Sequence, residues 1–193
     1  PTPIQRDYLA RDLLADADGL PLVKSVHVQV GVAEADAVAE TRWLQQVADE
    51  PGGPGLPHGI VAYCDLAAAD AAAVLAAHRR SPNLRGIRQI VGRAPHDEQQ
   101  ARSDALIDDP RWHDGLARLV DLDLSFDLQM IPAQATRLAR VLERMPALRV
   151  AICHAGSPWD QDPAGLAAWR AGLERLAALP NVWCKLSGFG MFD

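Results

Sequence analysis

Six short apolar runs, with stretches of helical periodicity between them, constrain this chain more than any other feature. The runs are Val23–Val30, Gly59–Asp65, Gly86–Val91, Leu122–Met130, Leu148–His154 and Val182–Ser187. Between them Leu138, Val141, Leu142 and Met145 follow helical spacing, as do Leu166, Trp169, Leu173 and Leu176, and Leu116, Leu119 and Val120. Ala67–Arg80 is alanine-rich and predicts another helix. Met145-Pro146, Leu179-Pro180-Asn181 and Ser81-Pro82-Asn83 stop helices just ahead of strands. Strands alternating with helices call for a parallel sheet, open or closed into a barrel. Neither GxGxxG nor a Walker A sequence follows any run, which removes the usual reason to favour a nucleotide-binding open sheet. The Pro/Gly-rich stretch at 51–57 reads as a loop inside one domain spanning residues 1–193.

Composition narrows the function classes. The chain has 193 residues, 49% hydrophobic, with a formal net charge of −6. A negative balance with scattered arginines argues against nucleic acid or an anionic membrane as partner. His78-Arg79-Arg80 is the densest basic spot and is expected to be a solvated helix end. Cys64, Cys153 and Cys184 each lie in an apolar run and are expected to be small buried hydrophobes in a reducing, cytoplasmic setting. No signal peptide or membrane span is read. The start, Pro1-Thr2-Pro3, and the end, Gly188–Asp193, are expected to be cuts through a longer protein.

The polar residues inside the strands carry the chemistry. Ser25, His27 and Gln29 alternate with valines, and Ser125, Asp127 and Gln129 alternate with Phe126, Leu128 and Met130. Lys185 and Ser187 share one parity, Arg88 stands in GIRQIV, and His154 closes VAICH. Side chains alternate across a strand, so each polar set points one way. In a barrel, inward groups near the carboxyl ends of the strands meet at the mouth where substrates bind. Gln29, Asp65, Arg88, Gln129, His154 and Ser187 are all late in their strands, which points to an enzyme. Arg88 needs an anionic partner, either Asp127 or a substrate carboxylate or carbonyl. Asp127 is also a candidate partner for Lys185. Asp65 is expected to cap a helix beginning near Ala67. Trp159, just beyond His154, and Arg93 and His96, in the loop after the Arg88 strand, are candidate lid or substrate contacts.

The stretches VKSVHVQV, GIVAYCDL, NLRGIRQI, LSFDLQ, VAICHAG with Pro158, and LPNVWCKLSG resemble the metal-sparing lactonases and related hydrolases of the amidohydrolase superfamily. That branch includes fuconolactonase, rhamnonolactonase and pyrone-dicarboxylate lactonase. The resemblance implies an α/β fold, a (β/α)₈ TIM barrel, incomplete here, with strands two to seven present. It implies that His154 is the sixth-strand histidine and Arg88 the fourth-strand arginine contacting substrate. His27, Gln29, Asp127, Gln129, Lys185 and Trp159 complete the expected substrate-binding set. The family's first-strand His-x-His pair and last-strand general-base Asp are not found in this sequence. No metal ligand is therefore assigned, and a divalent metal such as zinc is expected only in a full-length parent. The expected activity is water-driven opening of a sugar-acid or aromatic-acid lactone in carbohydrate breakdown. A metal-dependent decarboxylase of the same superfamily and a catalytically incomplete fragment are the alternatives. The expected partner is a small lactone or carboxylate. The outer strands, as open edges, are expected to favour self-association into a homo-oligomer.

Overall fold

A computed structural model describes residues 6–94, 96–188 and 190–191. Pro1-Thr2-Pro3 and the final Phe192-Asp193, read above as marks of cut ends, lie outside the described residues.

Helices and strands alternate along the chain: α1 (Ala10–Asp16), β1 (Val26–Val28), α2 (Ala37–Ala48), β2 (Gly59–Tyr63), α3 (Ala71–His78), β3 (Leu84–Ile90), α4 (Gln100–Ala105), α5 (Pro110–Asp121), β4 (Ser125–Gln129), α6 (Ala135–Leu142), β5 (Val150–Ile152), α7 (Pro163–Ala177) and β6 (Val182–Cys184). All six predicted strands form, five with shorter cores than their apolar runs, while β3 starts two residues ahead of its run, at Leu84. α5 and α7 each start at an Asp-Pro pair. The Asp109 carboxylate accepts the Arg111 N–H at 2.9 Å and Asp162 accepts the Gly165 N–H at 2.6 Å, while each proline takes a position that needs no donor.

The sheet runs β1-β2-β3-β4-β5-β6, every neighbour parallel. This order never reverses. Right-handed crossovers of one sense then place every helix on the same face, which is barrel geometry rather than a doubly wound sheet. The helix-facing parity holds the core: Ala62, Ile87, Phe126, Leu128, Val150 and Ile152 are buried against α5 and α6 residues such as Trp112, Leu116, Leu138 and Leu142. The other parity is the inner face. The register aligns Tyr63, Arg88, Asp127, Ala151 and Trp183 across it. Close approach is built in below: a Cβ on Gly86 would lie 2.3 Å from the Ser125 hydroxyl of the next strand. β1 and β6 are the sheet's edges, and inner-face Val26 and Trp183 on them are 61% and 56% exposed.

Two expectations hold only in part. Arg79 and Arg80 are exposed at the helix end, but His78 beside them is 0% exposed, and Cys184 on the β6 edge is exposed while Cys64 and Cys153 are buried. The Tyr63 carbonyl, 2.9 Å from His78 Nε2, can only accept, so Nε2 carries the proton and Nδ1 accepts from the Thr41 hydroxyl at 2.9 Å. The neutral ring thus ties α2 and α3 to β2. Burial pushes the His78 pKa below the usual imidazole value, against weaker opposition from the Tyr63 carbonyl and Glu40. The unfolded chain therefore binds a proton here more readily than the folded one. This contribution to stability is present above the unfolded value of about 6.5 and is lost as pH falls below it. Melting temperatures measured between pH 8 and 5 should fall more steeply for the natural chain than for H78Q. Parallel profiles would show that the ring does not titrate across folding.

Candidate active site

β3 and β4 present their polar parity to the inner face because the alternate residues, Ile87 and Gln89, Phe126 and Leu128, are taken up by the helices. The Arg88 guanidinium donates to Gln129 Oε1 at 2.8 Å and to the Gln29 carbonyl at 3.3 Å. Its Nε is buried without a partner, and no carboxylate lies within ion-pair distance of Arg88 among the described residues. Asp127, the register neighbour of Arg88, is 2% exposed and is held by the Lys185 ammonium instead. Of the two partners open to Asp127, the fold selects Lys185. Arg88 is left as a half-buried cation whose partners among the described residues are all neutral.

His154 follows β5 in a 3₁₀ turn, His154–Gly156. His154, Ala155, Gly156 and Ser157 all have positive φ, at 52°, 51°, 76° and 52°. Left-handed backbone at non-glycine residues costs of order 1–3 kcal/mol each and persists only where surroundings impose it. Here the clamp is visible. The Ala155 N–H donates to the Lys185 carbonyl at 3.0 Å, and the Trp169 indole N–H of α7 donates to the Ala155 carbonyl at 2.7 Å. The turn raises the imidazole over the inner face, where Nδ1 meets Ser187 Oγ at 3.1 Å. Gly188 packs on the ring so closely that a Cβ there would sit 2.8 Å from Nδ1. Burial first, then the positive charges of Arg88 and Lys185, lower the His154 pKa, so the ring is neutral near pH 7. Cys153 shares this surface, but burial pushes its thiol up to about 11, which excludes a ready thiolate.

The structure thus gathers Arg88, Asp127, Gln129, Lys185 and His154 on one face. Gln29 joins them through its backbone carbonyl, while its side chain accepts from the Gly31 N–H at 2.7 Å. Trp159 is half-buried in the loop beyond the His154 turn. His27 does not reach this face. It pairs with Ile60 in register, and its Nε2 lies 3.6 Å from Glu40 Oε1 on α2. On β1 the valines line the inner face, so the polar parity points the other way. Asp65 accepts the Ala67 N–H at 3.1 Å, but the helix begins only at Ala71, so it closes a turn rather than capping α3. In the sequence Trp169 is only part of a helix face, and nothing in the periodicity marks its indole as a clamp.

A cavity of about 700 Å³ opens beside this face, over the carboxyl ends of β1, β2 and β3. Tyr63, the register partner of Arg88, and Ile90, two residues further on the same face, both line it. Arg93 also lines it, bonded to Asp97 at 3.3 Å and to Ser103 at 3.1 Å.

Residues 3–193 match the family described as Amidohydrolase. The chain belongs to this family. It is 36% identical over 191 residues to the uncharacterized protein y4mH of Sinorhizobium fredii, covering 98% of this chain and 63% of that one. It is 34% identical to the L-fucono-1,5-lactonase of Burkholderia ambifaria, covering 96% and 59%. Among solved structures, an amidohydrolase from Burkholderia multivorans with bound HEPES superimposes with a TM-score of 0.78 at 30% identity, covering 97% and 62%. The chain spans about three fifths of the length of these relatives. A second crystal form of the B. multivorans protein holds zinc. The amidohydrolase face described here does not fit a zinc centre by itself. Among the described residues no three His, Cys, Asp or Glu side chains converge, and His154 is flanked by two cations. No helix among the described residues is long and apolar enough to cross a membrane.

Proposed function

We propose that the protein opens a lactone with water at the carboxyl ends of its strands, in the cytoplasm, as a step in breaking down a sugar-derived or aromatic acid. The single observation carrying this reading is Arg88, a half-buried cation with no carboxylate partner among the described residues. A buried guanidinium bound only to neutral acceptors is incompletely compensated, and an anion or developing oxyanion completes it. Water attack on the ester carbonyl creates such an oxyanion, and as it collapses the ring C–O bond breaks and the proton from water ends on the released ring oxygen as a hydroxyl. Arg88 stabilises it, and the neutral His154 donates a hydrogen bond to the same oxygen. Lys185 holds Asp127 in place beneath them and adds positive charge beside His154. The 34% identity to an L-fucono-1,5-lactonase supports the same chemistry. Three free thiols are in keeping with the cytoplasm.

A second reading has its own observation. Asp127 is the inner-face strand carboxylate, and Lys185 occupies it. On that reading this stretch of chain binds substrate but does not itself deprotonate water. Acid release from a panel of sugar lactones and 2-pyrone-4,6-dicarboxylate, followed with a pH indicator, separates the two. Saturable turnover abolished by H154A supports the lactonase. Saturable binding without turnover supports the second reading, and neither binding nor turnover overturns both.

A further inference from the structure

We infer that Glu40, on α2 in the helical layer, is a positioning residue for Arg88: through the single peptide that joins Gln29 to Val30, its carboxylate fixes the carbonyl that holds the guanidinium in place. The inference rests on the lactone-hydrolase reading for what Arg88 does to a substrate, but its geometry stands apart from that reading.

The peptide is held from both ends. Beyond β1 the Gln29 N–H donates to the Val61 carbonyl at 2.8 Å, the Val30 N–H to Glu40 Oε1 at 3.2 Å, and the Gly31 N–H to Gln29 Oε1 at 2.7 Å. The Gln29 carbonyl accepts from Arg88 Nη1 at 3.3 Å. That carbonyl and the Val30 N–H belong to one rigid plane. Glu40 therefore grips the plane by its donor and Arg88 grips it by its acceptor, and it cannot rotate without breaking both bonds. Gln129 Oε1 holds the other terminal nitrogen, Nη2, at 2.8 Å. The Gln29 arm is the longer of the two, so it is the one that a change in the peptide loosens first.

The charges run in one direction along this path. Glu40 is 9% exposed. The basic group beside it is His27, with Nε2 at 3.6 Å, and no lysine or arginine lies within ion-pair distance of it among the described residues. Burial pushes the Glu40 pKa up, but the His27 ring and the Val30 N–H outweigh burial and hold it below the usual carboxylate range, so Glu40 is an anion near pH 7. A peptide N–H bonded to an anion pushes electron density onto its carbonyl oxygen and makes that oxygen a stronger acceptor. Carboxylate, peptide dipole and guanidinium thus meet with opposite signs at each junction. A direct ion pair would cancel much of the charge of Arg88. A carboxylate one peptide away orients the guanidinium and leaves its charge for an incoming oxyanion.

The test labels the chain with ¹⁵N-arginine and follows the Arg88 Nε signal, identified by its loss in R88M. E40Q removes the charge but keeps an oxygen for the Val30 N–H, whereas E40D keeps the charge and draws it back by one methylene. Orientation by charge moves the Arg88 signal more in E40Q than in E40D. Mere fastening of α2 to β1 gives the reverse order. On the lactone turned over fastest, kcat should fall about tenfold in E40Q with KM held within about twofold, because the oxyanion exists only in the transition state. A second measurement does not depend on E40Q folding. The Val30 amide signal of the ¹⁵N-valine chain, identified by its loss in V30I, should shift in R88M, because Arg88 and Glu40 hold the same peptide. No shift there, an Arg88 signal unmoved in E40Q, the reverse order, a loss carried by KM, or faster turnover by E40Q overturns the proposal. Lactone turnover by the natural chain with the Arg88 signal unmoved in E40Q defeats this inference alone. The expected signal shifts without lactone turnover by the natural chain defeat the lactonase reading alone.

Discussion

W112A should lower the free energy of unfolding by about 4 kcal/mol, the largest stability loss expected from a single side chain here. Trp112 is 0% exposed on the sheet-facing side of α5. Its ring meets Phe126 edge-on, centroids 5.9 Å apart at 73°. Alanine removes the largest fully buried side chain, leaves a cavity between α5 and β4, and strands the buried Gln89 carbonyl. Truncating a large buried aromatic costs about 3–5 kcal/mol by itself. W112F keeps most of the packing and loses only the donor, so it should cost about 1–2 kcal/mol. Urea unfolding followed by circular dichroism checks both. Equal losses for the two variants would mean that the hydrogen bond outweighs the packing, against the burial seen here.

R88M should cut kcat/KM for lactone hydrolysis by about 100- to 1000-fold, the scale of losing one oxyanion donor. The same variant should leave stability unchanged or slightly higher. Its guanidinium has no carboxylate to lose among the described residues, and the buried Nε goes unsatisfied. A structural arginine would give the opposite pair of results, with melting temperature lowered and catalysis little affected. R88K should restore only part of the activity, because an ammonium cannot bridge two acceptors in the planar way a guanidinium does.

Alternation in the sequence correctly separated β1 and β4 into two faces, but it carries no sign. On β3 and β4 the sign followed from chemistry, since Ile87, Phe126 and Leu128 had to meet the helices and Arg88 and Asp127 could not. On β1 both parities were tolerable. α2 offers Glu40 to His27, so the polar side turned toward the helix and the valines toward the inner face. His78 misled for a related reason. Beside two arginines at a helix end it looks solvated, and only the arrival of Thr41 and the Tyr63 carbonyl from other elements makes burial affordable.

Order and spacing along the chain determined the six strands with helices between them, the absence of a nucleotide turn, and Arg88 and His154 as the side chains to watch. Those features depend on neighbours in sequence, where periodicity and breakers act. The tertiary structure alone decided that Lys185 rather than Arg88 takes Asp127, that Trp169 and Lys185 hold the His154 turn in left-handed backbone, and that Trp112 reaches Asp65 through Gln89. Each is a pairing between elements far apart in the chain. A residue's wish for a partner is written in its own chemistry, but which partner comes within 3 Å is set by packing.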